Sequence, residues 1–382
     1  MDMAGMVLPI ISSATRSPWF KATRDLTTAY GDHEGRLTPV IFDRPVADEY
    51  RVLRTRAGIF DVPERPLEIR GPDAAAFLDY VFTRPVSTMA VDRGRYGLMC
   101  HDGGGIACDG VVFRLAKDWF WYVHADRDVF TWLQALKSGY DVDIRDPQAW
   151  AIQIQGPTSL EILDACVDGG APEDFKYYHS RQVTMGGQPV LISRTGWTAE
   201  LGFEVYNMEP HVDGMALWSH LITAGRPYGM EVLSTYAMNP RRIEAGIMNY
   251  GTDMGWDTTP FDLGLGGFVD FDHDFVGRDA LQTAQRSPRF TGFTTEARDI
   301  KWGSPVLASG KAVGCVKAFE LSPTLGMGVG YVLFDTPDAM AANAYTVKGR
   351  DGNEHPLTLH ALPFFDPDKC IPRSLEVMEF TG

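Results

Sequence analysis

The sequence is poor in cysteine and has no ordered spacing of thiols. Its 382 residues include five cysteines, an odd and scattered set without a C-x-x-C pair: Cys100, Cys108, Cys166, Cys315 and Cys370. This pattern predicts reduced thiols. Cys100, His101 and Cys108 do not provide the four convergent ligands of a structural metal centre. We therefore predict no metal site.

Positive charge and long apolar runs are also scarce. A net charge of −15 and a pI near 5.0 argue against a nucleic-acid partner, because phosphate binding needs a clustered positive field. No stretch approaches the roughly 18 apolar residues of a membrane helix. Residues 1–11 lack the basic region of a secretory signal. These absences predict a cytoplasmic protein without a membrane anchor.

What is present is a chain long enough for two or three domains, with 45% hydrophobic residues for a large core. Residues 46–59 have a helical pattern that ends at Gly58. A strand, a Gly-Pro turn and a helix follow one another at residues 67–81, where Asp73 is a candidate N-cap. The same order recurs at residues 151–165. The repeat predicts two related α+β units.

Further strands are predicted on both sides of the second unit. Residues 111–115 and 119–123 flank a short polar turn and predict a β-hairpin. After residue 290, short strands separated by glycine and proline are typical of a small barrel. These signals predict a third, β-rich domain at the C-terminus.

Residues 202–206 form a predicted strand with one carboxylate. Side chains alternate along a strand, so Gly202, Glu204 and Tyr206 share one face, while Phe203 and Val205 share the other and enter the core. A carboxylate beside apolar neighbours is costly unless it meets hydrogen-bond donors. A heterocycle with adjacent ring N–H and amino groups supplies such donors. The alternative is a solvated strand face.

Several segments, in this order, resemble one enzyme family. They are Gly104-Gly105-Ile106 followed by Asp109, residues 194–204, residues 241–246 leading to Tyr250-Gly251, residues 258–261, residues 275–281 and residues 322–326. Together they resemble the tetrahydrofolate-dependent methyltransferases of the glycine-cleavage T-protein, or aminomethyltransferase, family. A set of ordered motifs is far more specific than any one of them.

Within that family the chain looks closest to dimethylsulfoniopropionate demethylase. Residues 16–20, residues 39–43 and Trp197 in Gly-Trp-Thr, where aminomethyltransferases have Gly-Tyr-Thr, carry this narrower resemblance. Aminomethyltransferases commonly carry two acids in the strand after Gly-Gly-Ile. Here Cys108 takes the first position and only Asp109 remains, as in the sulfonium demethylases.

The resemblance implies an α+β fold of three domains, arranged as a cloverleaf around a central folate channel. Residues 1–61 and 146–285 would form a discontinuous folate-binding α+β domain. Residues 62–145 would form a second α+β domain that carries Asp109, and residues 286–382 a C-terminal β-barrel-like domain.

The resemblance also implies residue roles. Asp109 would be the catalytic carboxylate and Glu204 would grip the pterin ring. The aromatic residues Tyr96, Trp197 and Tyr206 would line the place where substrate meets folate, with Tyr206 also touching the cofactor. For the aromatic residues the alternative is core packing, and for Asp109 a local turn. The glycine run before Asp109, residues 103–105, would let backbone and ligand approach closely.

Two adjacent arginines are the predicted contacts for carboxylates of the ligands. Arg241 and Arg242 are candidates for pairing with the glutamate tail of folate or with an acidic substrate, because guanidinium groups bind carboxylates bidentately. A surface salt bridge with Glu244 is the structural alternative.

The activity implied is methyl transfer from dimethylsulfoniopropionate, or a similar onium donor, to N5 of tetrahydrofolate. The products would be methylmercaptopropionate and 5-methyltetrahydrofolate. Alternatives are an N-methyl, O-methyl or aminomethyl donor on the same cofactor, or a folate-binding protein without turnover. The expected partners are a small-molecule methyl donor and tetrahydrofolate, and a homodimer stays open.

Overall fold

The structure is a computed structural model that describes residues 14–208 and 211–375. Residues 1–11, whose composition argues against a secretory signal, lie outside the described residues. The described residues form three larger units beside a small N-terminal sheet: a mixed six-stranded sheet with helices, an antiparallel five-stranded sheet with helices, and a barrel.

Within the described residues the strands are β1 (Thr15–Arg16), β2 (Thr27–His33), β3 (Arg36–Phe42), β4 (Ala57–Val62), β5 (Arg65–Arg70), β6 (Arg93–Cys100), β7 (Ile106–Ala116), β8 (Trp119–His124), β9 (Asp143–Arg145), β10 (Ala151–Gln155), β11 (Ser180–Met185), β12 (Gln188–Ser193), β13 (Gly202–Asn207), β14 (Met230–Val232), β15 (Phe290–Thr295), β16 (Pro305–Ala308), β17 (Lys311–Ser322), β18 (Met327–Phe334), β19 (Tyr345–Lys348) and β20 (Glu354–His360). The helices are α1 (Phe20–Thr23), α2 (Val46–Thr55), α3 (Ala74–Val81), α4 (Val129–Leu136), α5 (Ser159–Cys166), α6 (Gly214–Gly225), α7 (Met238–Glu244), α8 (Arg278–Thr283) and α9 (Cys370–Arg373).

The six-stranded sheet has the order β11-β12-β13-β10-β4-β14. Ile152 and Ile154 of β10 pack with Phe203 and Val205 of β13 in the core that helices α5 and α6 cover. The alternation predicted for residues 202–206 is therefore confirmed. The opposite face of the same strands carries polar groups, including Glu204, toward the interior of the protein.

The five-stranded sheet has the order β6-β7-β8-β5-β9. The predicted hairpin is confirmed as β7 and β8, in which Val111 pairs with Val123. Helix α3 buries Phe77, Leu78 and Val81 against this sheet. Tyr96 and Asp109 stand on its neighbouring strands β6 and β7.

The repeated strand, Gly-Pro turn and helix are present in both sheets. Gly71 after β5 and Gly156 after β10 have φ values of +139° and +131°. A Cβ atom at either glycine would lie 2.3 Å from a backbone carbonyl oxygen, of Asp141 and Arg56 respectively. Only glycine fits such a position, so the two turns use the same residue for the same reason.

One local prediction was wrong, and another was confirmed only in part. The helix predicted over residues 46–59 ends at Thr55, and Gly58 and Ile59 lie in β4, because this segment is buried on all sides between β10 and β14. Asp73 is the N-cap residue of α3, as predicted, but its side chain makes no capping hydrogen bond. Its carboxylate accepts instead from the backbone N–H of Asp141, at 2.9 Å.

The C-terminal unit is a closed barrel in the order β15-β18-β17-β16-β19-β20. Its interior is filled by side chains such as Phe293, Val316 and Val332. The predicted fold class, two α+β units with a C-terminal barrel, is confirmed. The sheets follow the chain in the predicted order, while the exact domain boundaries stay a prediction. No helix of the described residues is long and apolar enough to span a bilayer.

A buried ion cluster connects helices α2 and α7 with the segment before β13. Glu200, just before β13, accepts hydrogen bonds from Arg54 of α2 and Arg241 of α7. All three side chains are almost fully buried. Both guanidinium groups also lie over the ring of Phe365, at 5.5 and 4.4 Å.

Removing Glu200 should destabilise the protein strongly, because two guanidinium groups would lose the carboxylate that compensates their burial. We expect Glu200→Ala to lower the free energy of unfolding by about 3–5 kcal/mol, measured by urea denaturation. The exposed acid Glu173 is the control, and Glu173→Ala should change it by less than about 0.5 kcal/mol. Equal effects of the two substitutions would refute the structural role of the cluster.

Candidate active site

A cavity of about 1530 Å³ lies where the two sheets and the barrel meet. Glu204 comes from the six-stranded sheet, Tyr96 and Asp109 come from the five-stranded sheet, and Phe319 comes from the barrel. Among the side chains predicted for the site, the structure brings Tyr96, Asp109, Trp197, Glu204, Tyr206 and Arg242 to this cavity.

Glu204 is held by neutral donors on three strands or their ends. One carboxylate oxygen accepts from the hydroxyls of Tyr206 at 2.9 Å and Ser193 at 3.2 Å, and from Thr195. The other accepts from the amide of Gln153 at 2.8 Å. Burial raises the pKa of Glu204, and these four hydrogen bonds act against the shift.

Glu64 is a second carboxyl group beside Glu204, and sequence reasoning missed it. It follows the end of β4, and one oxygen accepts from the same Gln153 amide group at 2.7 Å. Burial, followed by the nearby charge of Glu204, raises its pKa well above the usual range. Glu64 has one such partner and Glu204 has four, so the negative charge of the pair resides on Glu204.

Asp109 faces the cavity from β7. Its carboxylate accepts a hydrogen bond from the Tyr96 hydroxyl at 2.9 Å. Burial raises its pKa to about 7, against the effect of that hydrogen bond. In the described part of the chain, no arginine, lysine or histidine nitrogen lies within 4 Å of it. Asp109 is therefore an uncompensated acid that titrates near neutral pH.

The predicted aromatic residues occupy different depths. The Tyr96 ring meets Phe268 edge to face at 5.2 Å on the cavity wall. Trp197 is half-buried there, with the Arg242 guanidinium 5.2 Å from its ring. Tyr206 is fully buried, its ring packing against Phe113 and Trp121. Its position suits holding Glu204 more than contacting a substrate.

The structure does not bring Arg241 to the cavity. Its side chain is 0% exposed and binds Glu200, because helix α7 turns it toward α2. The surface pair with Glu244 is absent as well, since Glu244 is itself buried and accepts from Tyr50 and Ser322. Arg242 does line the cavity, with its guanidinium bound to Asp253.

The glycine run at residues 103–105 does not approach the cavity either. A Cβ atom at Gly105 would lie 2.0 Å from the carbonyl oxygen of Trp256, and one at Gly104 would lie 3.1 Å from Leu281. The close approach is between two parts of the protein, so the expected contact with a ligand was wrong. Asp109 itself lies in strand β7, not in a turn.

Exposed cations stand among the cavity-lining residues. Lys176, Lys369 and Arg373 line the cavity and are exposed to solvent. Lys369 and Arg373 belong to the segment around α9, where sequence reasoning placed no site residue. Exposed cations at this mouth suit the carboxylates of a long ligand.

Comparisons with known proteins agree with this architecture. Residues 19–273 match the family model described as the GCVT N-terminal domain, and residues 289–366 match the glycine cleavage T-protein C-terminal barrel domain. The chain belongs to the glycine cleavage T-protein family. The family resemblance predicted from the sequence is confirmed, and with it a tetrahydrofolate-dependent enzyme of one-carbon transfer.

Relatives in this T-protein family are similar along most of the chain. An aminomethyltransferase of Streptomyces avermitilis is 35% identical over 84% of this chain and 90% of its own length. One from Corynebacterium aurimucosum is 33% identical over 87% and 92%. The crystal structure of the glycine cleavage system aminomethyltransferase T from Bartonella henselae has a TM-score of 0.82 at 25% identity, over 92% of this chain and 98% of its own.

The raised pKa of Asp109 predicts a pH dependence of stability. Between about pH 4 and pH 7, an unfolded chain releases this proton while the folded protein keeps it. The free energy of unfolding, relative to Asp109→Asn, should therefore fall across this window and become constant above pH 7. Urea denaturation of both proteins at a series of pH values measures the difference.

Tyr96→Phe provides a second variant for that measurement. It removes the hydrogen bond that favours the ionised carboxylate, so the decline should extend to higher pH. A difference that does not change between pH 4 and pH 7 would contradict the assigned environment of Asp109.

Proposed function

We propose that this protein is a tetrahydrofolate-dependent demethylase that moves a methyl group from dimethylsulfoniopropionate, or a similar onium donor, to N5 of the cofactor. The observation that carries the proposal is Asp109, an acid on an aromatic cavity wall that has no cationic partner among residues 14–208 and 211–375. Such a position suits a cation that arrives with the substrate.

Aromatic rings near the acid support an onium donor. Tyr96, Tyr178, Trp197 and Phe268 line the same cavity. A sulfonium or quaternary ammonium is attracted to the face of an aromatic ring by about 0.5–2 kcal/mol per contact. The cavity therefore offers a positive donor both a carboxylate and π-faces.

The residues present fit tetrahydrofolate. Glu204 would bind the donor edge of the pterin ring, and Lys369 and Arg373 would meet the glutamate tail at the exposed part of the cavity. Trp197 and Arg242, 5.2 Å apart, also line the cavity. A cavity of about 1530 Å³ exceeds the usual volume of a small-ligand pocket and leaves room for a donor beside the cofactor.

The chemistry asks the protein chiefly to align two ligands. Tetrahydrofolate supplies a nucleophilic nitrogen, and the positive sulfur of the donor leaves as a neutral thioether. Fixing donor and acceptor in line can lower the barrier by about 7–11 kcal/mol. Asp109, with a pKa of about 7, would be the acceptor for the proton released on methyl transfer, and Tyr96 would hold the carboxylate in place for it.

Aminomethyl transfer is the second candidate, and the names of the relatives favour it. The aminomethyltransferases of Streptomyces avermitilis and Corynebacterium aurimucosum are 35% and 33% identical to this chain. The products separate the two reactions, because an aminomethyl carbon becomes a methylene group on the cofactor while an onium donor gives 5-methyltetrahydrofolate.

A panel of donors tests the choice. The protein is incubated with tetrahydrofolate and, separately, dimethylsulfoniopropionate, glycine betaine, dimethylglycine, an O-methyl aromatic compound and an aminomethyl donor. Mass spectrometry then identifies the folate product. We expect 5-methyltetrahydrofolate with dimethylsulfoniopropionate. Methylene-tetrahydrofolate formed only from the aminomethyl donor would replace the proposal with aminomethyl transfer, and folate binding without turnover would indicate a binding protein.

Asp109 should matter for turnover more than for cofactor binding. Loss of a positioned acid–base group lowers rates by about 10²–10⁴-fold, so we expect Asp109→Asn to lose that much of kcat with the active donor. Asp279→Asn, at a side chain 99% exposed on α8, is the control and should keep full activity. An unchanged kcat in folded Asp109→Asn would remove Asp109 from the mechanism.

A further inference from the structure

The wall of the cavity beside Glu204 contains two buried polar atoms without a partner among the described residues. They are Oε2 of Glu64 and Nε2 of His124. The two residues lie close together, because Arg65, next to Glu64, pairs with His124 across β5 and β8. Both line the cavity. Native proteins rarely leave such atoms unpaired, and because both residues line the cavity, a ligand bound there can supply the missing partners.

The hydrogen-bonding character of each atom follows from its surroundings. The Nδ1 atom of His124 lies 3.1 Å from the carbonyl oxygen of Asp126, so Nδ1 carries the proton and Nε2 is an acceptor. Burial lowers the pKa of His124 to about 4, which keeps the ring neutral. Oε1 of Glu64 accepts from Gln153. In the neutral acid the hydroxyl is therefore on Oε2, which makes this atom a donor.

The charges around Glu64 favour the neutral acid. The negative charges of Glu204 and Asp126 disfavour its ionised form, and the guanidinium of Arg36, which donates to the backbone carbonyl of Glu64 at 3.0 Å, opposes them more weakly. His124 on the neighbouring strand is uncharged. Two carboxyl groups that share one amide cannot both ionise at low cost. At a pH at which Glu204 is ionised, Glu64 therefore keeps its proton.

We propose that Glu64 is a second cofactor-binding residue, which as a neutral acid donates a hydrogen bond to a ring nitrogen of the pterin while Glu204 accepts from the amino side. The inference rests on the proposed binding of tetrahydrofolate. A pterin has adjacent N–H and amino donors on one edge, and a ring nitrogen with a lone pair beside the same amino group. The ionised carboxylate of Glu204 complements the edge with the two donors, and the neutral carboxyl of Glu64 complements the ring nitrogen with the lone pair. His124 can accept from a further ring N–H.

The test compares Glu64→Gln with Glu64→Ala in the full-length protein. The probe is 5-formyltetrahydrofolate, which resists oxidation, and its dissociation constant is measured by quenching of tryptophan fluorescence from pH 6.5 to 9.5. Glutamine imitates a neutral acid, with an amide that can donate to the ring nitrogen. We expect Glu64→Gln to bind within about threefold of the wild type, and Glu64→Ala to bind about 10- to 100-fold more weakly.

The pH profile separates this role from a structural one. Wild-type affinity should fall as pH rises through the raised pKa of Glu64, and this part of the dependence should vanish in Glu64→Gln. Glu173→Gln and Glu173→Ala are the exposed controls, and thermal unfolding reports on folding of each variant. Equal affinity of Glu64→Ala and wild type, or equal losses in both Glu64 variants, would overturn the inference. Absence of binding by the wild type would instead refute the proposed function.

Discussion

A row of polar side chains across three paired strands is the constraint on which the cavity depends. Ser193 of β12 lies opposite Glu204 of β13, which lies opposite Gln153 of β10. The row keeps a carboxylate inside the protein with hydroxyl and amide donors in place of a cation. A slip of β13 by one residue would turn Glu204 into the apolar core and Phe203 into the cavity. The strand register of the sheet therefore determines whether polar or apolar side chains face the cavity.

Among the described residues neither Asp109 nor Glu64 forms a side-chain ion pair, although Arg36 donates a hydrogen bond to the backbone carbonyl of Glu64 at 3.0 Å. Asp109 and Glu64 line the inner cavity with raised pKa values, whereas Lys369 and Arg373 line its exposed part. A ligand that is positive or rich in N–H donors at one end and anionic at the other matches this distribution. A pterin with a glutamate tail has that polarity, and a uniformly anionic ligand does not.

Local sequence patterns predicted most helices and strands. Contacts between residues distant in the sequence decided where the predicted helix ends and which side chains reach the cavity. Alternation places Phe203 in the core because strand geometry is local. The predicted helix did not extend to Gly58, because Gly58 belongs to β4, and pairing of β4 with β10 and β14 overrides the helical pattern of residues 46–59. Arg241 and Arg242 are adjacent, yet α7 points one at Glu200 and the other at the cavity. Glu64 belongs to no recognisable motif. The pairing of β4 with β10 places it within hydrogen-bond distance of Gln153.

The structure explains why position 108 can hold a cysteine where aminomethyltransferases commonly carry an acid. Neighbouring residues of β7 point to opposite faces, so Asp109 faces the cavity while Cys108 packs with Met99 and Phe120 in the core. Burial raises the pKa of the Cys108 thiol far above its usual range, so it stays neutral. An acid at position 108 would need to be desolvated in that core and would repel the charge of Asp109. The thiol leaves Asp109 as the only acid on β7, which suits a reaction that needs one proton acceptor.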